Sequence, residues 1–132
     1  MVLEHLGLAV RDLAAATDLY RRLLGAEPYK TETVATEKVT TVFFRTGESK
    51  VELLAGTAPD SPITKFIEKR GEGIHHVAFG VTDIRAEMAR LRAEGFELLS
   101  EEPKPGADNK LVCFVHPRSA GGVLVELCQE KA

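Results

Sequence analysis

Residues 74–84, IHHVAFGVTDI, repeat the pattern of residues 3–13, LEHLGLAVRDL, 71 positions earlier. His5 falls on His76, Val10 on Val81, Asp12 on Asp83 and Leu13 on Ile84. A repeat at this spacing makes each half one supersecondary unit, too small to bury a core alone. Each repeat reads as a short strand, an Asp and a helix. Asp12 and Asp83 are placed as N-caps, where a carboxylate accepts the first free N–H groups.

The helices run on through Leu13, Ala16, Leu19, Tyr20, Leu23 and Leu24, and more weakly through Ile84, Met88 and Leu91. Gly25 and Gly95 stand where a helix stops. Strand chemistry follows over 28–34, 39–46 and 50–55 in the first half. In the second half it follows over 96–99, 110–116 and 123–128. Ser61-Pro62 opens a short helix over 62–70, which Gly71 and Gly73 end. The expected architecture is α+β: tandem βαβββ units forming a curved mixed sheet with helices on the outer face. One domain, 1–132, comprises a first unit at 1–56, a linker with a short helix at 57–72 and a second unit at 73–132.

Side chains alternate faces along a strand. His5, Gly7 and Ala9 share one face of the first strand, and Leu6, Leu8 and Val10 the other, which a helix must cover. His76, Ala78 and Gly80 repeat the small, open face, whereas His75 has the wrong parity. The last strands match as Val51-Glu52-Leu53 and Val125-Glu126-Leu127. A glutamate between apolar neighbours is costly unless it is paired or bound. A lone strand histidine is usually a satisfied polar residue, and a lone mid-strand glutamate usually faces solvent. The same two residue types recurring in both halves point instead to His5, Glu52, His76 and Glu126 as ligands of one divalent transition metal. His75 and His116 read as structural.

Net charge and cysteine usage narrow the function classes. Seventeen Lys and Arg against twenty Asp and Glu give −3, with no basic stripe for nucleic acid and no lure to an anionic membrane. No apolar run reaches the roughly 20 residues of a membrane span. Cys113 and Cys128 sit in apolar stretches and read as buried free thiols of a reducing compartment. The opening MVLEHLG lacks the apolar core of a signal peptide, so the expected location is cytoplasmic.

Paired βαβββ units with these ligands resemble the vicinal oxygen chelate superfamily, and within it the methylmalonyl-CoA epimerases. The stretches that carry the resemblance are LEHLGLAV (3–10), ESKVELL (48–54), SPITKFIEKRGEGIHHVAFGVTDI (61–84), EEPKPGA (101–107) and HPRSAGGVLVEL (116–127). The resemblance implies metal ligation by His5, His76 and Glu126, with Glu52 where relatives have glutamine or glutamate. It implies Glu126 as a catalytic acid/base, and cobalt, nickel, manganese and zinc all tolerate such ligands. The implied reaction is inversion of methylmalonyl-CoA at C2 through a metal-stabilised enolate, in propionate metabolism. A small acyl-CoA substrate and a homodimer go with it.

The chain departs from some relatives at Thr41, where they carry a second catalytic glutamate; Glu52 or a bound water is then the second acid/base. Arg118, Lys104 and Lys110 are candidates for the CoA phosphates, and Cys128 shares parity with Glu126. The alternatives are a glyoxalase I-type lyase acting on a glutathione adduct, and a metal-free drug-binding protein.

Overall fold

The computed structural model describes residues 1–131. In chain order the elements are β1 (Val2–Ala9), α1 (Leu13–Leu24), β2 (Lys30–Val34), β3 (Val39–Thr46), β4 (Ser49–Gly56), α2 (Pro62–Arg70), β5 (Gly73–Gly80), α3 (Ile84–Ala93), β6 (Lys104–Gly106), β7 (Lys110–Val115) and β8 (Val125–Glu130). Two compact units result. One runs from His5 to His75, and the other joins Met1–Glu4 to the chain from His76 onward.

In the His5–His75 unit the strand order is β2-β3-β4-β1. β1 runs parallel to β4, while β3 is antiparallel to both β4 and β2. The Asp12 side chain accepts from Ala15 N–H and starts α1; Gly25, at φ 67°, ends it in the left-handed conformation that glycine adopts without a Cβ clash. Val10, Val42, Phe44, Leu53 and Ala55 form the buried layer, against which Leu8, Leu13, Ala16, Tyr20 and Leu24 pack. Leu19 and Leu23, read from the sequence as part of the same stripe, instead point outward and are exposed. They lie at the margin of the arc that α1 turns to its sheet, so helical spacing alone overcounted the buried face.

α2 begins and ends where its cap signals place it, with Ser61 accepting from Ile63 N–H and Pro62 in the first helical position. Ile63 and Ile67 pack on Ala9 and Leu54, so this helix covers one end of the face opposite α1. Gly56 permits that approach, since a Cβ there would collide with Ser61 and Thr64.

The other unit repeats the plan with the order β5-β8-β7-β6. β5 is parallel to β8, and β7 is antiparallel to its two neighbours. Asp83 accepts from Ala86 N–H and caps α3. Ile84, Met88 and Leu91 bury against Cys113, Val115 and Leu127. The strand expected at 96–99 is reduced to one bridge, Leu98 with Val115. Phe96 and Leu98 are apolar because they pack beneath α3, not because they pair along a ladder. The edge strand is Lys104–Gly106, where Pro105 is tolerated because an edge need not donate on its outer side.

Candidate active site: a histidine–glutamate pair in each unit

Register fixes which side chains share a face. In the His5–His75 unit, Gly7 stands opposite Glu52, and Glu52 opposite Phe43. Leu8, Leu53, Val42 and Phe44 take the α1 side. His5, Glu52 and Phe43 therefore project from the face away from α1. His5 Nδ1 lies 3.1 Å from Glu52 Oε2.

The second unit builds the same arrangement. Ala78 stands opposite Glu126, and Glu126 opposite Phe114. Val115 and Leu127 take the α3 side. His76 Nε2 lies 3.3 Å from Glu126 Oε1, and the Phe114 ring meets the His76 ring edge-on at 6.2 Å. His5, Glu52, His76 and Glu126 are 5%, 6%, 5% and 7% exposed. A carboxylate so deeply buried is tolerated when paired or ligating, and imidazole nitrogen with carboxylate oxygen is a donor set that divalent transition ions accept. The residues present in each unit thus fit one half of such a site.

The neighbouring groups sort into structural and lining roles. Thr41 is buried opposite Leu54, two residues before Phe43 on the face that carries Glu52. His75 stacks edge-on with Phe66, and burial pushes its pKa down. His116 Nδ1 accepts from Arg118 N–H and caps the 3-10 turn Pro117–Ser119. Both histidines thus make local structural contacts, with Phe66 and with the Arg118 N–H. Cys113 and Cys128 are buried thiols outside any disulfide. Cys128 lines a recess of about 330 Å³ together with Glu4, Gly80, Lys110 and Glu130.

Two proposed phosphate cations are engaged elsewhere. Arg118 forms a two-pronged pair with Glu97, at 2.8 and 3.0 Å, which raises the Arg118 pKa and holds the Glu97 carboxyl below its usual value. Lys110 is buried, 3.1 Å from Glu130 and 3.9 Å from Glu4. Arg118 remains on the surface, whereas Lys110 is buried, and the partners of both are distant in sequence and give no local signal.

Residues 4–114 match the family model of the glyoxalase/bleomycin resistance protein/dioxygenase superfamily. The ethylmalonyl-CoA/methylmalonyl-CoA epimerase of Cereibacter sphaeroides is 43% identical over 129 residues, 96% of either chain. The chain belongs to this superfamily, among its methylmalonyl-CoA epimerases. The mitochondrial methylmalonyl-CoA epimerase of Mus musculus is 42% identical over 96% of this chain and 72% of its own. A Streptomyces coelicolor methylmalonyl-CoA epimerase solved in complex with 2-nitronate-propionyl-CoA superposes with a TM-score of 0.94 at 35% identity, covering 100% of this chain and 96% of that one.

The tandem βαβββ fold expected from the repeat is the fold of these epimerases. Family membership makes the chain an enzyme of the isomerase class. No helix among the described residues is long and apolar enough to cross a membrane.

Proposed function

We propose that the protein inverts methylmalonyl-CoA at C2, with His5, Glu52, His76 and Glu126 together holding one divalent transition cation. The observation that supports this reading is the buried His–Glu pair occurring at the same strand positions in each unit, on the face turned away from the helix. When bound, the cation supplies Lewis-acid stabilisation of charge developing on the thioester oxygen.

The chain's own residues move the proton. The C2 hydrogen lies between a thioester and a carboxylate, so a carboxylate base suffices once the developing charge is met. Glu126 takes the proton from one side, or returns it there. Inversion needs a second group on the other side. A threonine hydroxyl at position 41 is far too weak an acid or base near neutral pH. Glu52 lies one diagonal step from Thr41 on the same face, with Leu54 opposite Thr41 and Phe43 opposite Glu52. Glu52 is therefore assigned the second proton transfer. Phe43 and Phe114, each beside one of these carboxylates, keep water from competing for the exposed C2.

Exchange of the C2 proton of methylmalonyl-CoA in deuterated water is the test. Exchange that a chelator abolishes supports the reading. Turnover of the glutathione–methylglyoxal adduct without C2 exchange would replace it with the glyoxalase I reaction.

A further inference from the structure

The stretch 61–84 carries the family resemblance, yet only His76 of it has a chemical role above. Its helix α2 reads PITKFIEKR, and its three cations against one acid make it positive in a chain whose net charge is −3. Lys65, Phe66, Glu68 and Lys69 line a recess of about 380 Å³. Phe66 is half-buried, held edge-on to the His75 ring at 4.9 Å, whereas Lys65, Glu68 and Lys69 are exposed. Among the described residues neither lysine ammonium forms a hydrogen bond or ion pair. Asp60 feels the charge of Lys65 through space but is itself paired with Lys38.

Helix physics alone does not call for this arrangement. The dipole welcomes Lys69 and Arg70 in the last turn, but Lys65 stands near the positive end, where a cation is disfavoured. Lys65 and Lys69 are also like charges one turn apart on one face, which weakens a helix slightly. An anion in the recess relieves both. The helix borders the face that carries Glu52. Ile63 and Ile67 pack on Leu54, which follows Glu52 by two positions on that face, about 7 Å along β4. A helix is about 10 to 12 Å across, a span that the pantetheine arm of a CoA thioester exceeds.

We infer that Lys65 and Lys69 bind the phosphates of the CoA nucleotide. This rests on the epimerase reading above, which makes the substrate a CoA thioester. With the acyl end at Glu52, the arm that leaves past Leu54 reaches α2, and Phe66 offers it apolar surface. Of the cations read from the sequence for these phosphates, Arg118 is paired with Glu97 and Lys110 with Glu130. An ammonium meets phosphate as a point charge, so two flexible lysines suit the solvent-side end of a long ligand. Their exposure keeps the attraction modest and sensitive to salt. Glu68, in the same recess, opposes it.

The experiment is calorimetric binding of methylmalonyl-CoA and of methylmalonyl-pantetheine, which lacks the nucleotide, to cation-loaded wild type and variants. The double variant Lys65→Met with Lys69→Met should weaken methylmalonyl-CoA by about tenfold at low salt, with methylmalonyl-pantetheine held within about twofold. The difference should shrink as salt rises. Glu68→Gln should tighten methylmalonyl-CoA alone, by about twofold. Equal weakening of both thioesters by the double variant would make the lysines structural and overturn the inference, as would unchanged binding of both. Lys104→Met, on the edge strand of the other unit, is the control; a loss there and none in the helix variant puts the phosphates elsewhere. Should the double variant fail to fold, Lys65→Gln and Lys69→Gln take the same measurements singly. C2 exchange by the wild type is measured alongside. A wild type that exchanges while the helix variant treats both thioesters alike sinks this inference alone, whereas a wild type without exchange sinks the epimerase reading beneath it.

Discussion

Phe43 stands directly opposite Glu52 across the β3–β4 ladder, and Phe114 stands in the same relation to Glu126 across β7 and β8. Each buried carboxylate thus has an aromatic wall on one flank and a histidine of its own unit at hydrogen-bonding range. A proton-transfer group benefits from that setting, because a low local dielectric strengthens every charge it meets. Glu126→Gln removes the proton acceptor while keeping the shape. The expected outcome is a fall in C2 exchange by about 10²- to 10⁴-fold. Glu52→Gln should fall within the same range. Proton NMR of both methylmalonyl-CoA epimers in deuterated water measures it, and undiminished exchange from both epimers in Glu126→Gln would remove that residue from the mechanism.

A bound cation should stabilise the fold as well as the reaction. A ligand at a hundred times its dissociation constant adds about 2.7 kcal/mol to the native state. Dialysis against a chelator should therefore lower Tm, and readdition of cobalt, nickel, manganese or zinc should restore it. His5→Ala and His76→Ala should each abolish the shift. A Tm indifferent to chelator in the wild type would count against the metal site.

Asp12 and Asp83 each accept one backbone N–H at 3.0 and 3.1 Å. Replacing either with alanine leaves orphan donors in the first helical turn and should cost about 1 kcal/mol. Denaturant unfolding of the two variants checks this, and their double mutant should be additive because the caps share no partner.

These caps mark how far the sequence could be read. Asp12, Ser61 and Asp83 are local signals, and the helices they start lie where those signals put them. The open face was legible because its residues alternate with apolar neighbours and because the pattern occurs twice. Phe96 and Leu98 misled for the opposite reason. Their spacing reports burial beneath α3, and burial says nothing about ladder pairing. Lys104-Pro105-Gly106 has almost no strand propensity and exists as an edge only because β7 offers it partners. The burial of Lys50 escaped notice as well, since a lysine beside Ser49 at a strand start reads as solvated until the register is known.

Cys113 gives a pH-dependent readout away from the open face. Burial, aided by the charge of Glu126, pushes its thiol up to about 11 from an ordinary 9.0. The raised folded-state value means that the unfolded thiol ionises first. Its contribution to stability is intact below pH 9 and declines as pH rises toward about 11. At pH 8 a thiol reagent should leave Cys113 unlabelled in the folded protein and label it after unfolding. Cys113→Ala should flatten the alkaline limb of the stability profile. Rapid native labelling at pH 8, read by mass spectrometry, would contradict the buried position.

One ion pair sets a timetable for the chain. Glu4 belongs to the same compact unit as Lys110, which also pairs with Glu130. During synthesis Glu4 emerges more than a hundred residues before its partner, with the whole of the other unit made in between. β1 can therefore pair with β4 over His5–Ala9 long before Glu4 meets Lys110. Closing so distant a contact is slow. The docking of Glu4 against Lys110 should therefore come late in acquiring the native structure.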